Sequence, residues 1–315
     1  MAGYLIRRLL QFVVTAAIAS VIVFLLMQVL PGNAAQVALG TNATPEAVAQ
    51  LERTYGLDRP LPVQYLDWIS GVLTGDFGTS YVTRAPITPV IADSIQVTLI
   101  IVIASMVVAL LIAVPLGSLA AVFQKRTLGT AISAASQVGI AVPNFLAAII
   151  LIMIFSLGLG WFPSSGWAAP IEGFGRFLAR LALPVLALAL VQAAILTRYV
   201  RSAVLEVMRE DFLRTARAKG LTKPQALVRH GLRNAAIPVV TVAGIQLATM
   251  LIGAVVIEQV FVIPGMGSEL VRAVANRDLV TVQGIVMVLV VLVLLLNLIV
   301  DLLYTVLDPR VRRAA

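Results

Sequence analysis

Little in this chain could carry covalent chemistry. It has one histidine, His230, on a basic stretch, and no cysteine. A multi-histidine metal site, a thiolate site and a Cys–His nucleophile are therefore excluded, and cysteine usage gives no redox compartment. No HExxH or GxSxG pattern occurs. A phosphate-cradling P-loop needs glycine directly before its lysine, whereas Lys125, Lys219 and Lys223 follow Gln, Ala and Thr. Any energy from ATP must enter through another subunit. What remains is a set of polar residues in apolar surroundings, where a charged or amide group is costly and therefore a functional candidate. Asn144, beside Pro143, with Gln246 and Glu258, are candidates to line a path; for Glu258, capping or interface pairing is an equal reading. Asp301, close to the inner end of the last apolar run, reads as a structural pairing, with a place facing a path or a partner as the other reading. A second feature is the basic, helix-prone stretch DFLRTARAKGLTKPQALVRHGLRNAAIP, from Asp211 to Pro238.

These residues need a scaffold, and the composition says which. The 315-residue chain is 60% hydrophobic and 12% charged, with mean hydropathy +1.00, against about a quarter charged for soluble domains. It belongs in a membrane. The net charge of +8 and isoelectric point near 10.4 then reflect loop placement rather than nucleic-acid binding. Apolar runs long enough to span a bilayer lie near 9–30, 96–123, 131–158, 180–200, 236–263 and 280–307. The first exceeds the roughly 7–15 residues of a signal-peptide core and reads as a retained helix. In the fourth, Arg180 and Arg198 must snorkel to the interfaces. Pro115, Pro143 and Pro184 fall within spans and predict kinks. Gly244 with Ala248, and Thr249 with Gly253, form small-xxx-small pairs that allow close helix approach.

Sixteen basic residues, from Arg7 and Arg8 through the 198–233 stretch to Arg310, Arg312 and Arg313, fall on one side of these spans, against seven on the other. The positive-inside rule predicts cytoplasmic termini. The outer loop, 31–95, contains two amphipathic pieces. In the first, Thr44 caps a helix with Pro45 at its first position, Val48, Leu51 and Tyr55 on one face, and Gly56 as its closing residue. The second carries Val63, Leu66, Ile69 and Leu73 at helical spacing. Both are expected to pack on the rim of the bundle, with a docking surface as the other reading. Trp161 and Trp167 fit an interfacial belt.

The basic stretch falls in the cytoplasmic loop 201–235. Asp211 to Lys219 predicts a short helix with Phe212, Leu213 and Ala216 on one face, ended by Gly220 in a left-handed conformation. Thr222 caps a second helix with Pro224 in its first turn, Leu221 staples onto Ala226, and Asn234 and Pro238 turn the chain into the fifth span. Positive-inside bias explains the charge here but not the helix, glycine, cap, proline, helix order, which suits a docking element.

This segment resembles the EAA coupling loop of ABC importer permeases in the form carried by the dipeptide, oligopeptide and nickel subfamily. Arg214, Thr215 and Ala216 stand at the Glu-Ala-Ala places and Gly220 at the glycine, with the proline displaced to Pro238. LPGNAA, GDFGTSY, APITPVI, VPNF, VVIEQVFVIPGMGSELVRAVANRDLVTVQG and DLLYTVLDPRVR resemble, in order, the B-type permease of such systems. The resemblance implies an all-α, six-span type I importer permease with cytoplasmic termini, in the bacterial inner membrane. It implies a second, C-type permease, two ATP-binding subunits and an extracytoplasmic substrate-binding protein as partners, besides membrane lipid. It also implies no cofactor on this chain, ATP and Mg residing on the ATPases, which would grip Asp211, Phe212, Leu213, Arg214, Thr215, Ala216, Arg217 and Gly220. The implied cargo is a di- or oligopeptide, with nickel or another small chelate as the alternative. An ion-coupled secondary transporter would be expected to show paired intramembrane acids or inverted repeats, and a membrane enzyme a catalytic constellation.

Overall fold

The computed structural model describes residues 2–29, 39 and 43–307. The LPGNAA stretch, Arg310, Arg312, Arg313 and the terminal DPRVR lie outside these. The described chain is helical, its only β feature being a bridge between Thr79 and Pro86. In hydrocarbon no water satisfies backbone N–H and C=O groups, and a helix pairs them within one segment. The helices are α1 (Ala2–Val29), α2 (Pro45–Tyr55), α3 (Leu61–Thr74), α4 (Ile87–Val122), α5 (Thr127–Ala141), α6 (Asn144–Leu151), α7 (Phe174–Val207), α8 (Asp211–Ala218), α9 (Lys223–Ala226), α10 (Leu232–Val260), α11 (Met266–Ala275) and α12 (Leu279–Leu307). Among the described residues, five uninterrupted helical runs are long and apolar enough to span a membrane, and α5 with the α6 segment, α6 and its π-helical continuation Ile152–Gly158, makes a sixth if the bent pair counts as one.

The chain divides into two compact units. The first contains Thr98–Ile263 and the described residues from Leu296 onward. Its helices meet where side chains vanish. A Cβ added at Gly117 would fall 2.6 Å from Val200 Cβ, one at Gly139 2.8 Å from Ala194 Cβ, and one at Gly253 3.0 Å from Leu188 Cδ1. At Gly244 it would lie 2.1 Å from Val300 Cγ2, so of the two small pairs in this span the Gly244 position is where α12 comes against α10. Where α4, α7 and α10 converge, Ala121, Val200, Ala203, Val204, Leu227 and Val239 form a buried cluster.

The prolines within the expected spans act in two ways. The 131–158 run is not one rod: α5 and the α6 segment meet at 103°. Val142 (φ −82°, ψ 120°) and Pro143 (φ −63°, ψ 145°) are extended, as steric clash with the proline ring demands of the residue before it. Pro115 and Pro184 instead remain inside the continuous α4 and α7. α7 also outruns the expected 180–200 at both ends, and the Arg180 Nη1 donates to the Trp167 carbonyl at 2.9 Å. Asn234 and Pro238 do not turn the chain. Lys223 to Val260 is one helical run, with a π segment at Leu227–Gly231 and Pro238 inside α10. Buried Ala235 and Val239, on either side of Pro238, pack in the α4–α7–α10 cluster, and this offsets the ~3 kcal/mol of an internal proline.

The second unit contains Ile6–Val97 and Pro264–Leu295. Thr44 caps α2, its Oγ1 accepting from Ala47 N–H at 3.2 Å, and Gly56 closes it at φ 67°. The α3 stripe does not pack as expected: Leu66 and Leu73 are 61% and 81% exposed. α3 is instead held by its aromatic residues. Tyr65 and Trp68 lie 5.5 and 6.0 Å from the Phe24 ring, and the Tyr65 hydroxyl hydrogen-bonds Ser20 Oγ at 2.8 Å. Large rings bury more area than the aliphatic stripe and bring a polar group that α1 can satisfy. Trp161 is exposed, while Trp167 packs edge-on against Phe177.

The GDFGTSY and NRDLVTVQG motifs meet in this second unit. Ser80 Oγ and Thr281 Oγ1 each donate to Asp278 Oδ2 at 2.6 Å, and Val82 and Thr83 N–H groups donate to Ser80 Oγ. Tyr81 stacks on Tyr55 with centroids 4.1 Å apart. Burial first, then Tyr55 and Asp278, push the Tyr81 hydroxyl up to about 12, so it stays a donor at any physiological pH.

If the α10–α12 approach depends on the missing side chain, Gly244→Ala should lower the thermal midpoint of the purified protein. The loss should be of the order of 1–3 kcal/mol expected for overpacking. Val300→Ala added to it should restore most of the loss. An unchanged midpoint in Gly244→Ala would show that the helices separate freely there.

Candidate functional site

The 211–221 stretch folds as a short helix with a defined inner and outer side. α8 starts from Glu210, whose carbonyl accepts from the Leu213 and Arg214 N–H groups, and Asp211 lies in its first turn, where the helix dipole favours an acid. Leu213 and Ala216 are buried with Ala226, against Val207, Met208 and Leu221. The C-terminus closes with two hydrogen bonds, Leu221 N–H to Ala216 C=O at 3.4 Å and Gly220 N–H to Arg217 C=O at 3.0 Å. With Gly220 at φ 97° and Leu221 packed on Ala216, this is a Schellman closure. Thr222 then starts α9, its N–H donating to Gln225 Oε1 at 3.0 Å.

The expected apolar face of Phe212, Leu213 and Ala216 is therefore divided. Leu213 (3% exposed) and Ala216 (9%) are used by the chain itself, while Phe212 is 40% exposed. Asp211, Arg214, Thr215, Arg217 and Gly220 are also exposed. Arg214 Nη1 and Asp211 Oδ1 lie 3.3 Å apart; an ion pair this open to solvent contributes little to holding the helix. The outer surface is an aromatic ring among charges, presented on a helix whose position is set from beneath. Periodicity put Phe212 and Leu213 together; only the packing of Val207, Met208 and the π segment, where a Cβ on Gly231 would come 3.4 Å from Leu213 Cδ1, separates them.

The polar residues singled out within apolar runs are brought together only in part. The Asn144 side chain lies against α10 at Gly253, with its Nδ2 2.8 Å from where a Cβ would stand; its Oδ1 is buried without a hydrogen bond. Gln246, half-buried, is seven residues before Gly253 and so on the same face of α10. Glu258 is turned by about 140° from Gly253 at 3.6 residues per turn. It is completely buried, and Thr98 Oγ1 donates to its Oε1 at 2.6 Å. This enclosure and hydrogen bond favour the pairing reading of Glu258. Asp301 is half-buried on α12, next to Val300 at the Gly244 approach. Missed at the level of sequence was the Ser80–Asp278–Thr281 junction, because residues almost two hundred positions apart carry no local signal of their contact.

The described residues form apolar helices of membrane-spanning length, with α8 a short amphipathic helix beside them. Comparison with known proteins agrees. Residues 113–313 match the family described as binding-protein-dependent transport system inner membrane component, and residues 1–102 match its N-terminal region. The chain belongs to this family: it is an ABC importer permease subunit of the inner membrane, non-catalytic, with ATP hydrolysed on a separate subunit. Such permeases work with a partner permease, an ATPase and a substrate-binding protein. It is 38% identical over 312 residues to the glutathione transport system permease protein GsiC of Salmonella choleraesuis, covering 99% of both chains. It is 37% identical over 314 residues to the oligopeptide transport system permease protein AppB of Bacillus subtilis, again with 99% of both covered. A crystal structure of an amino acid ABC transporter with histidines shares the fold at 16% identity and TM-score 0.50, over 69% of this chain and 94% of that one.

The division of α8 has a direct consequence. Leu213→Ala should destabilise the protein by about 2–5 kcal/mol, as for a buried leucine, whereas Phe212→Ala should leave the thermal midpoint unchanged. Equal effects of the two substitutions would show that both side chains face the same surroundings.

Proposed function

We propose that this chain forms half of the translocation path of a di- or oligopeptide importer and receives the ATPase stroke through α8. In this reading the chain is one permease domain of six spans with cytoplasmic termini. The observation that carries it is the two-sidedness of α8: Leu213 and Ala216 fix the helix to its own chain while Phe212, Asp211, Arg214, Thr215 and Arg217 face outward. A helix clamped beneath and open above transmits force, whereas a solvated retention loop would not. Two ATPases, closing on ATP and Mg held by themselves, would each grip one such helix, on this chain and on a C-type partner. The solute would arrive from an extracytoplasmic binding protein. Peptide cargo is supported by the names of the relatives, one an oligopeptide and one a glutathione permease; nickel or another chelate is the competing cargo. Asn144, which lies against α10 at Gly253, and Gln246 on that same face of α10 are the path candidates of this reading, and Glu258 acts as a bundle residue.

Gly220 provides a sharp test. A Cβ there meets no atom within 4 Å, so a substitution is resisted only by the positive φ. Gly220→Val, reconstituted with its partners, should retain assembly but lose most ATP-driven uptake, because a β-branched residue resists that conformation. Gly220→Asn, which tolerates it, should retain most uptake. Full coupling in the valine variant would remove α8 from the mechanism. Uptake assayed with a labelled dipeptide and with nickel, each with the native binding protein, separates the two cargoes.

A further inference from the structure

A cavity of about 150 Å3 lies between α5 and α7, in the first unit, and no residue of α8 lines it. Its walls include Ser133, Ser136 and Gln137 from α5 and Thr197, Arg198 and Arg201 from α7. The spacing explains the pocket. Arg198 and Arg201 are three residues apart and share a face of α7, and Ser133, Ser136 and Gln137 share a face of α5. No acid lines the cavity. Arg201 is half-buried, and its Nε is buried with no hydrogen-bond partner. Arg198 stacks over the Tyr199 ring at 5.4 Å. Among the described residues neither arginine has a carboxylate partner. The Ser133 and Ser136 hydroxyls already donate to the Gly129 and Ile132 carbonyls at 2.8 and 2.9 Å, so the free donors are the two guanidinium groups, the Gln137 amide and the Thr197 hydroxyl.

A buried, unpartnered guanidinium N–H is costly, and a planar fork of donors matches an oxyanion. The cavity is large enough for one, being well above the ~10–15 Å3 that a single water needs. Its depth fits as well: Arg201 lies six residues before the end of α7 and Ser133 six after the start of α5, roughly 9 Å along each helix at 1.5 Å per residue. These are the helix ends joined to the basic loops, and basic pockets between helices at that level hold anionic headgroups.

We propose that this pocket is an oxyanion site, with Arg201 as its buried anchor and Arg198 at its mouth. The oxyanion is either the phosphate of an anionic membrane lipid or the carboxylate or phosphate of a solute. The inference rests on the membrane reading of the chain but not on α8 or on peptide cargo. To test it, the protein is purified with the partners it retains, in nanodiscs of phosphatidylethanolamine with or without phosphatidylglycerol, and bound lipid is counted by native mass spectrometry. Wild type should retain phosphatidylglycerol selectively. Arg201→Gln and, as a variant at an exposed position, Arg198→Gln should each reduce that retention about tenfold, while Arg233→Gln on the adjoining α10 should not. If no lipid is selected but inorganic phosphate or acetate raises the thermal midpoint of wild type and not of either pocket variant, the site stands and its ligand is a solute. The proposal fails if no oxyanion distinguishes wild type from the two pocket variants. It also fails if the response appears only after the partner permease is removed, since an acid of that subunit would then be the natural occupant. Because binding rather than uptake is read, failure here leaves the permease function untouched, and failure of coupling leaves this site testable.

Discussion

In an apolar solvent, burying a leucine against another helix gains little over leaving it against lipid, so the helices of this chain are held by how closely they can approach. The contacts at Gly117, Gly139, Gly244 and Gly253 express that constraint. Each replaces a side chain with the neighbouring helix itself, so dispersion contacts form along the backbone. From these approaches follow the convergence of α4, α7 and α10 and the placement of the loops their ends carry.

In the proposed function, the segment between α7 and α10 is where that packing would be put to use. The cluster of Ala121, Val200, Val204, Leu227 and Val239 joins directly to the smaller one of Leu213, Ala216 and Ala226 through Val207, Met208 and the π segment. Because Lys223 to Val260 is one helical run, α8 is separated from a membrane-spanning helix by only a Schellman closure and a capped turn. In the proposed function, a push on its exposed face would reach α10 with few soft torsions in between. Continuity through Pro238 favours force transmission over the hinge that the proline alone would suggest.

Polar residues in the apolar runs follow a different rule. Thr98 and Glu258 hydrogen-bond to each other inside one unit, and Ser80, Asp278 and Thr281 do so inside the other. Both groups satisfy polar atoms that would otherwise be stranded and give helix packing the directionality that aliphatic contacts lack. The pair of arginines on α7 breaks this pattern, since no acid of the described chain answers them.

Much of the architecture was legible in the chain itself. Apolar run lengths gave the spans, because a bilayer fixes the length a helix must have. Thr44, Gly56 and Gly220 gave helix ends, because caps and positive φ are local chemistry. Order and spacing of motifs gave the family. What sequence could not decide was which way side chains point once helices pack: that Leu213 turns inward while Phe212 does not, that Tyr65 and Trp68 rather than Leu66 and Leu73 hold α3, and that Glu258 is enclosed. It also could not tell a breaking proline from a tolerated one, since Pro143 bends the chain by 103° and Pro238 lies in a continuous helix. Each of these outcomes depends on contacts between residues distant in the chain, and local propensity has no term for a neighbour that only the tertiary fold supplies.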